Sequence, residues 1–361
     1  MGDRPYRISI TEMLEFMRCE RAWDLESANR RSLVRKGIPA TALWMGSAFH
    51  AAMADLGDPI GTLRAYVQEQ RIEMATSYVA QVGVAVSAEE WTAFDESAKL
   101  IEAVVVEYLR HYGLQPFKPY EVLANEMTFS LTLENGVELV GTIDKVLLDP
   151  IGKLWVCDHK TWSQRPDVRD LQYDFQFTGY CACLQALVRE PVTGFLYDGV
   201  NKKIPRKPRI LQDGHVSLEW IDTSSAVYCQ AVRDNGEDPT SLRYSGFVAR
   251  LRERDENNSP FFLRHPLYIS QAQITQWWEN VYTVVEQMMA VKKPTFNRRW
   301  EGCWDCNVRD ICDTMLRGDD VDWVIDTNYH IGTYGTQRKL AKVVSPTNVY
   351  SIDSLRSTLA G

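Results

Sequence analysis

From Tyr120 onward the hydrophobic pattern of this chain changes to period two, and the following stretch admits little besides a three-stranded antiparallel meander. Tyr120 to Leu133 and Val137 to Leu148 are strand-like, and Glu134-Asn135-Gly136 joins them through Asn-Gly, a strong hairpin signal. Asp149-Pro150-Ile151-Gly152 makes a second turn, and Lys153 to Asp158 forms a third strand that runs into His159-Lys160-Thr161. Side chains at i and i+2 on a strand share a face, so Asp158 and Lys160 stand side by side. One can hold a divalent cation and the other can face an anion. Asp144, fourteen residues earlier in Gly-Thr-Ile-Asp, adds a carboxylate one hairpin upstream. This combination suits phosphodiester hydrolysis, where a metal generates hydroxide and a cation offsets charge on the phosphorane.

Helical patterns flank the meander. Ser9, with Glu12 three residues later, starts a helix that carries Cys19, Arg21 and Trp23. A second helix runs from about Leu43 to Leu56 and includes Gly46 and His50, and residues 60–112 are expected to be helical. After the third strand come a helix from Gln172 to Arg189, a strand from Val192 to Gly199 and a helix from Ala272 to Val291. Helix, meander, helix, strand predicts an α/β fold with mixed pairing. The expected division is a helical part (1–115), a core (116–200), an insertion of mixed strand and helix (201–270), a helix with a cysteine-bearing segment (271–320) and an aperiodic tail (321–361).

A net charge of -8 argues against indiscriminate coating of nucleic acid, so any contact with a nucleic acid must come from local basicity. The loop with Lys202, Lys203, Arg206, Lys207 and Arg209 is the best candidate, and Trp162 and Arg165 directly after the third strand could stack on a base and meet a phosphate. No apolar run reaches bilayer-spanning length and the N-terminus lacks an apolar signal core, which predicts a cytoplasmic protein with no membrane association. In that setting eight cysteines are not a disulfide framework. Cys157, Cys181, Cys183 and Cys229 lie in apolar stretches and read as small buried hydrophobes. Cys303, Cys306 and Cys312 instead form C-x2-C-x5-C on a polar segment, and Cys19 lies near the other end of the chain.

Taken together, these residues resemble the PD-(D/E)XK superfamily and, within it, the RecB-like exonucleases that carry an iron–sulfur cluster. Relatives of that kind include RecB-like nucleases encoded beside CRISPR loci, the AddB-type nuclease domain and phage recombination exonucleases. The resemblance runs from Cys19 to Cys312 and leaves out residues 200–270 and the tail. It implies a nuclease core with a mixed central sheet flanked by helices. Gly46-x-x-x-His50 matches the helix that supplies the first metal ligand, Asp144 matches the Gly-x-x-Asp carboxylate, and Asp158 completes the set with the backbone carbonyl of His159. Oxygen ligands with one imidazole suit Mg²⁺ or Mn²⁺ and tilt toward Mn²⁺. Beside two carboxylates Lys160 should keep its proton and stabilise charge. Gln176 and Tyr180 match the family's Gln-x-x-x-Tyr, implying that Gln176 steadies the site and Tyr180 touches DNA. Glu126 in the first strand is a candidate carboxylate behind the ligands. By the same resemblance Cys19, Cys303, Cys306 and Cys312 hold a 4Fe–4S cluster that staples the chain ends together, with a Cys₄ zinc site as the rival.

The implied activity is a metal-dependent DNA exonuclease acting on single-stranded ends, with 5′→3′ polarity, in recombination, repair or end processing. A recombinase, an annealing protein or a helicase is the implied partner. Two alternatives stand beside it: a structure-specific endonuclease, and a subunit that grips DNA for a helicase or recombinase without cutting. The chain itself contains no helicase P-loop pattern.

Overall fold

The computed structural model describes residues 6–37, 41–297, 300–304 and 306–332. The chain runs β1 (Arg7–Ser9), α1 (Ile10–Arg18), α2 (Glu20–Glu26), β2 (Leu33–Arg35), α3 (Thr41–Ala54), α4 (Pro59–Val82) and α5 (Ala88–Tyr112). It continues with β3 (Glu121–Thr132), β4 (Glu138–Leu148), β5 (Leu154–Trp162), α6 (Phe175–Val188), β6 (Val192–Asn201), α7 (Ser225–Asp234) and α8 (Ser245–Asn258). It closes with β7 (Phe262–Tyr268), α9 (Gln271–Ala290), α10 (Trp300–Cys303), α11 (Arg309–Arg317), α12 (Val321–Asn328) and β8 (Tyr329–Ile331). Side-chain caps set several helix starts: Ser9 accepts from the Glu12 amide, Asp174 from Gln176 and Phe177, and the pairs Ser87–Glu90 and Ser270–Gln273 form complete capping boxes. Among the described residues no helix is long and apolar enough to cross a membrane.

One mixed six-stranded sheet forms the centre, in the order β1-β4-β5-β6-β7, with β3 also pairing β4. The β3–β4 hairpin turns where Asn135-Gly136 sits, with Gly136 at a φ of 81° that suits glycine. Helices cover both faces. Ile8, Met13, Phe129, Val156, Phe177 and Trp277 form a core between the sheet and α1, α6 and α9. On the opposite face Trp44, Phe49, Phe94, Tyr108 and Phe262 join α3, α4 and α5 to the sheet. Burial of each such side chain stabilises the fold by roughly 1.5–3 kcal/mol.

Residues 262–268, inside the span read as an insertion, are the edge strand β7, antiparallel to β6. Their alternation is hidden by Arg264-His265-Pro266, because the arginine points into a buried ion pair. The segment between β6 and β7 is helical, with one isolated bridge between Ile210 and Val216, and has its own small core of Val216, Tyr228, Val232, Tyr244, Phe247 and Leu251. The start of the supposed tail is ordered too. β8 pairs with β2, and Val324 and Tyr329 pack with Ala22, Leu25, Val308 and Ile311 in a module that joins the two ends of the chain. Residues 333–361 lie outside the described residues.

Candidate active site

β4 carries β3 along one edge and divides its other edge between two partners. β1 pairs with Glu138–Val140, and β5 pairs with Lys145–Leu148. Asp144 therefore stands in the interval where one neighbour has ended and the next begins. Continued by one residue, the β4–β5 register would place it opposite Asp158. Instead the Asp144 side chain takes over from the ladder: its Oδ2 accepts from the His159 amide at 2.8 Å. The alternation of faces slips at the same level in two strands. Ala124 and Met127 of β3 both face the α6 core, as do Ile143 and Val146 of β4. Between them Glu126 adopts a left-handed φ of 47°. A non-glycine residue there is strained by about 1–3 kcal/mol, and such strain concentrates at functional sites. Here it puts Glu126, the neighbour of Asp144 across the hairpin, into the site.

His50 on α3 completes the group. Its Nδ1 lies 3.0 Å from Asp144 Oδ2, and donor atoms of His50, Glu126 and Asp144 all fall within 4.8 Å of one another. Gly46, one helical turn earlier, lies against Thr161 of β5, where an added Cβ would sit 3.5 Å from the hydroxyl. Asp158 is buried at 2% exposure, and its Oδ2 is 2.5 Å from Lys160 Nζ. Lys160 also donates to Gln176 Oε1 at 3.0 Å, and Gln176 Nε2 donates to the Tyr180 hydroxyl at 3.0 Å. Tyr180, only 9% exposed, backs Gln176 and is not presented to solvent as a DNA-contacting residue would be.

Electrostatics divides the two acids. Burial and the Asp144 charge push Asp158 up to about 6, against the pull of Lys160 and His50. Asp144 is also buried, yet His50 and the His159 amide hold it well below the usual carboxylate range. Burial lowers the His50 imidazole, and contact with Asp144 outweighs this and raises it. Lys160 follows the same logic: burial opposes its charge, but Asp158 raises its pKa, so it stays an ammonium. His50, Glu126 and Asp144 gathered this way fit a hard divalent cation, and Asp158 stands near enough to feel the charges of Asp144 and His50.

Residues 7–313 match the PD-(D/E)XK nuclease superfamily. The chain belongs to this superfamily. Among solved structures it is similar to a presumptive exonuclease from Eubacterium rectale, at 12% identity and a TM-score of 0.43, covering 81% of this chain and 84% of that one. It is also similar to the protein SSO0001, at 12% identity and a TM-score of 0.32, covering 86% of this chain and 88% of that one. No curated protein matches. The nuclease core is thus the mixed sheet, with β5 carrying the Asp-x-Lys that gives the superfamily its name.

The four cysteines Cys19, Cys303, Cys306 and Cys312 gather in the module that joins the chain ends of this nuclease. Cys19 interrupts a helix: at φ −163° and ψ 111° it separates α1 from α2. The break is held by the distant segment, with Arg18 Nη1 donating to the Gly302 carbonyl at 2.7 Å and Asn297 donating to the Arg18 carbonyl at 2.8 Å. Burial, followed by the nearby Cys306, pushes the Cys312 thiol up to about 12, and Cys19 and Cys303 add to the effect. Burial likewise raises the Cys306 thiol, and a cation bound between the sulfurs would favour the thiolates of these two residues.

Of the residues expected at DNA, Trp162 is 6% exposed and packs over Gly199, so its ring is core and not a stacking platform. Arg165 donates to the Ser259 carbonyl, tying the end of β5 to the end of the insertion. Lys202 is half-buried, with its amide bonded to the Trp162 carbonyl at 2.9 Å, while Lys203 and Arg206 are exposed. Arg206 and Lys207 line a cavity of about 870 Å³ with Lys99 and Arg110 of α5.

Two charged residues near the site escaped the sequence reading. Asp198 is fully buried in β6, and Arg264 of β7 contacts it. Asp198 was detectable as a single acid inside the apolar run Val192–Val200, since a buried charge needs a partner. Glu126 had its own signal in Asn125-Glu126, two consecutive polar residues inside an alternating strand.

Proposed function

We propose that this nuclease is a Mn²⁺- or Mg²⁺-dependent deoxyribonuclease that degrades single-stranded DNA from its ends, with 5′→3′ polarity, in recombination, repair or end processing. One observation carries the reading: His50, Glu126 and Asp144 offer donor atoms to a single point beside the Asp158–Lys160 pair. His50, Glu126, Asp144 and Asp158, with the His159 carbonyl, would hold the ion. When bound, a divalent ion supplies Lewis acidity toward the phosphate and acidifies a water molecule. The remaining chemistry belongs to the chain. Lys160 stays protonated and directs positive charge at the scissile phosphate, where negative charge grows in the transition state. Gln176 fixes the ammonium, and Tyr180 fixes Gln176.

The same reading assigns a 4Fe–4S cluster to Cys19, Cys303, Cys306 and Cys312. Four cysteines from both ends of the chain suit it, and its role would be to hold those ends together. Purified protein should be brown and contain iron. A colourless preparation containing zinc would replace the cluster with a Cys₄ zinc site and leave the nuclease reading intact. A recombinase, an annealing protein or a helicase would be the partner, in the cytoplasm.

The test compares linear and covalently closed circular single-stranded DNA in Mn²⁺, with 5′- and 3′-labelled ends. Linear strands should disappear while circles persist, and Asp158→Ala or Lys160→Ala should abolish cleavage with the fold retained, a loss of at least about 10³-fold. Rapid loss of circles would point to an endonuclease. Binding without cutting would point to a DNA-gripping subunit, and full activity in either variant would sink the assignment.

A further inference from the structure

Asp158 and Lys160 need a fixed direction, yet β5 loses a neighbour where they begin. Pairing with β4 ends at Cys157, and from Asp158 onward the ladder partner of β5 is β6. Between the two catalytic residues His159 points to the opposite face, toward Phe49 and Phe117. There it starts a row across three strands. His159 is in register with Asp198 of β6, and Asp198 with Arg264 of β7. His159 Nδ1 lies 2.8 Å from Asp198 Oδ2, so it carries the proton and donates to the carboxylate. The Tyr108 hydroxyl donates to the same oxygen at 2.6 Å. Arg264 donates through Nε to Asp198 Oδ1 at 2.8 Å and through Nη2 to Tyr108 at 2.8 Å. A further guanidinium nitrogen bonds the Pro116 carbonyl, and the Tyr112 ring lies 4.0 Å from the guanidinium carbon.

We propose that the Asp198–Arg264 pair, acting through His159, is a positioning device that sets the direction of Asp158 and Lys160. This proposal rests on the nuclease reading for its consequence but not for its geometry. A buried ion pair is seldom the most stable filling for a core, and replacing it with apolar residues is often neutral or better. What it adds here is direction. Both residues of the pair lie on one perpendicular to the strands, and the third residue in that line is the one whose amide bonds Asp144. The row therefore fixes one peptide of β5 from the side chain, while Asp144 fixes it from the backbone. Alternation then aims the residues before and after it at the opposite face.

The experiment uses the full-length protein with Asp198→Asn, Arg264→Gln and Tyr108→Phe. It measures Mn²⁺-dependent cleavage of linear single strands, melting temperature and peptide-level amide exchange. In Asp198→Asn and Arg264→Gln, kcat should fall about 10–100-fold while KM stays within about twofold. Amide exchange should quicken in the peptide covering Asp158–Trp162 and stay unchanged in β3. Tyr108→Phe removes one hydrogen bond and should show a smaller loss of the same kind. A purely structural role would lower the melting temperature while kcat per folded molecule and local exchange matched the parent; that result would overturn the proposal. If the larger changes prevent folding, Tyr108→Phe decides alone, and its parental kcat and exchange would have the same force. If the parent cleaves no DNA, the exchange measurement still tests the positioning row, and the proposed function fails separately.

Discussion

At the residue scale, the site is two acids in one environment held in different states. Asp144 accepts from an amide and faces an imidazole, whereas Asp158 is buried with one ammonium and a neighbouring carboxylate. The sign of the consequence follows. Because the folded-state pKa of Asp158, about 6, lies above its ordinary value, folding favours the protonated form, and stability is lost as pH rises through about 6. In a chelator, Asp158→Asn should therefore melt above the parent at pH 7.5, by at most about 3 kcal/mol, and the two curves should meet near pH 4. A parent that melts higher at pH 7.5 would contradict that environment. Glu126 offers a second test. Glu126→Gln keeps the shape but removes a charge from the donor group, so Mn²⁺ affinity by calorimetry should fall about 10–100-fold. An unchanged affinity would remove Glu126 from the ligand set.

At the element scale, the decisive feature is close packing of the strand that carries Asp144. Gly141 lies over Phe129, and a Cβ built there would meet the ring at 2.6 Å. Phe129 is fully buried and central to the α6 core, so it has little room to yield. Gly141→Ala should destabilise the protein by about 1–3 kcal/mol, read from denaturant melting, without altering the residues that would bind metal. Indifference to this change would mean that β3 and β4 separate more easily than their packing implies. The kink at Cys19 belongs to this scale as well, since it is at this break that Arg18 reaches the Gly302 carbonyl and the Arg21 amide the Thr295 carbonyl.

For the whole molecule, the insertion is an addition at one end of the sheet, tied to β5 through the Arg165 contact with the Ser259 carbonyl. It leaves at Asn201 and returns at Phe261, and those two residues are joined by a backbone hydrogen bond of 2.8 Å. β6 and β7 are antiparallel there, so a short turn can replace residues 203–260 without moving either strand. The shortened protein should fold and keep the proposed metal site, while KM for the proposed single-stranded DNA substrate rises about tenfold or more through loss of Lys203, Arg206, Lys207 and Arg209. An unchanged KM would place the DNA path elsewhere.

Strand positions, the hairpin turn and the run ending in Asp158-His159-Lys160 were legible in the sequence because they depend on neighbours two residues apart or on one turn's φ requirement. His50 and the four cysteines stand out in the sequence only as residue types at family spacings, which periodicity alone would not distinguish from core. The rest depended on distance in space. Glu126 enters the site through a backbone distortion matched across two strands, and Trp162 is withdrawn from DNA because Gly199 of the next strand leaves room for its ring. Arg264 lies inside the span read as an insertion, and only the pairing of β7 at the sheet edge brings it beside Asp198. Local pattern set which segments could be strands and helices. Which charges face one another was decided by register between strands far apart in the chain, and no local preference encodes that.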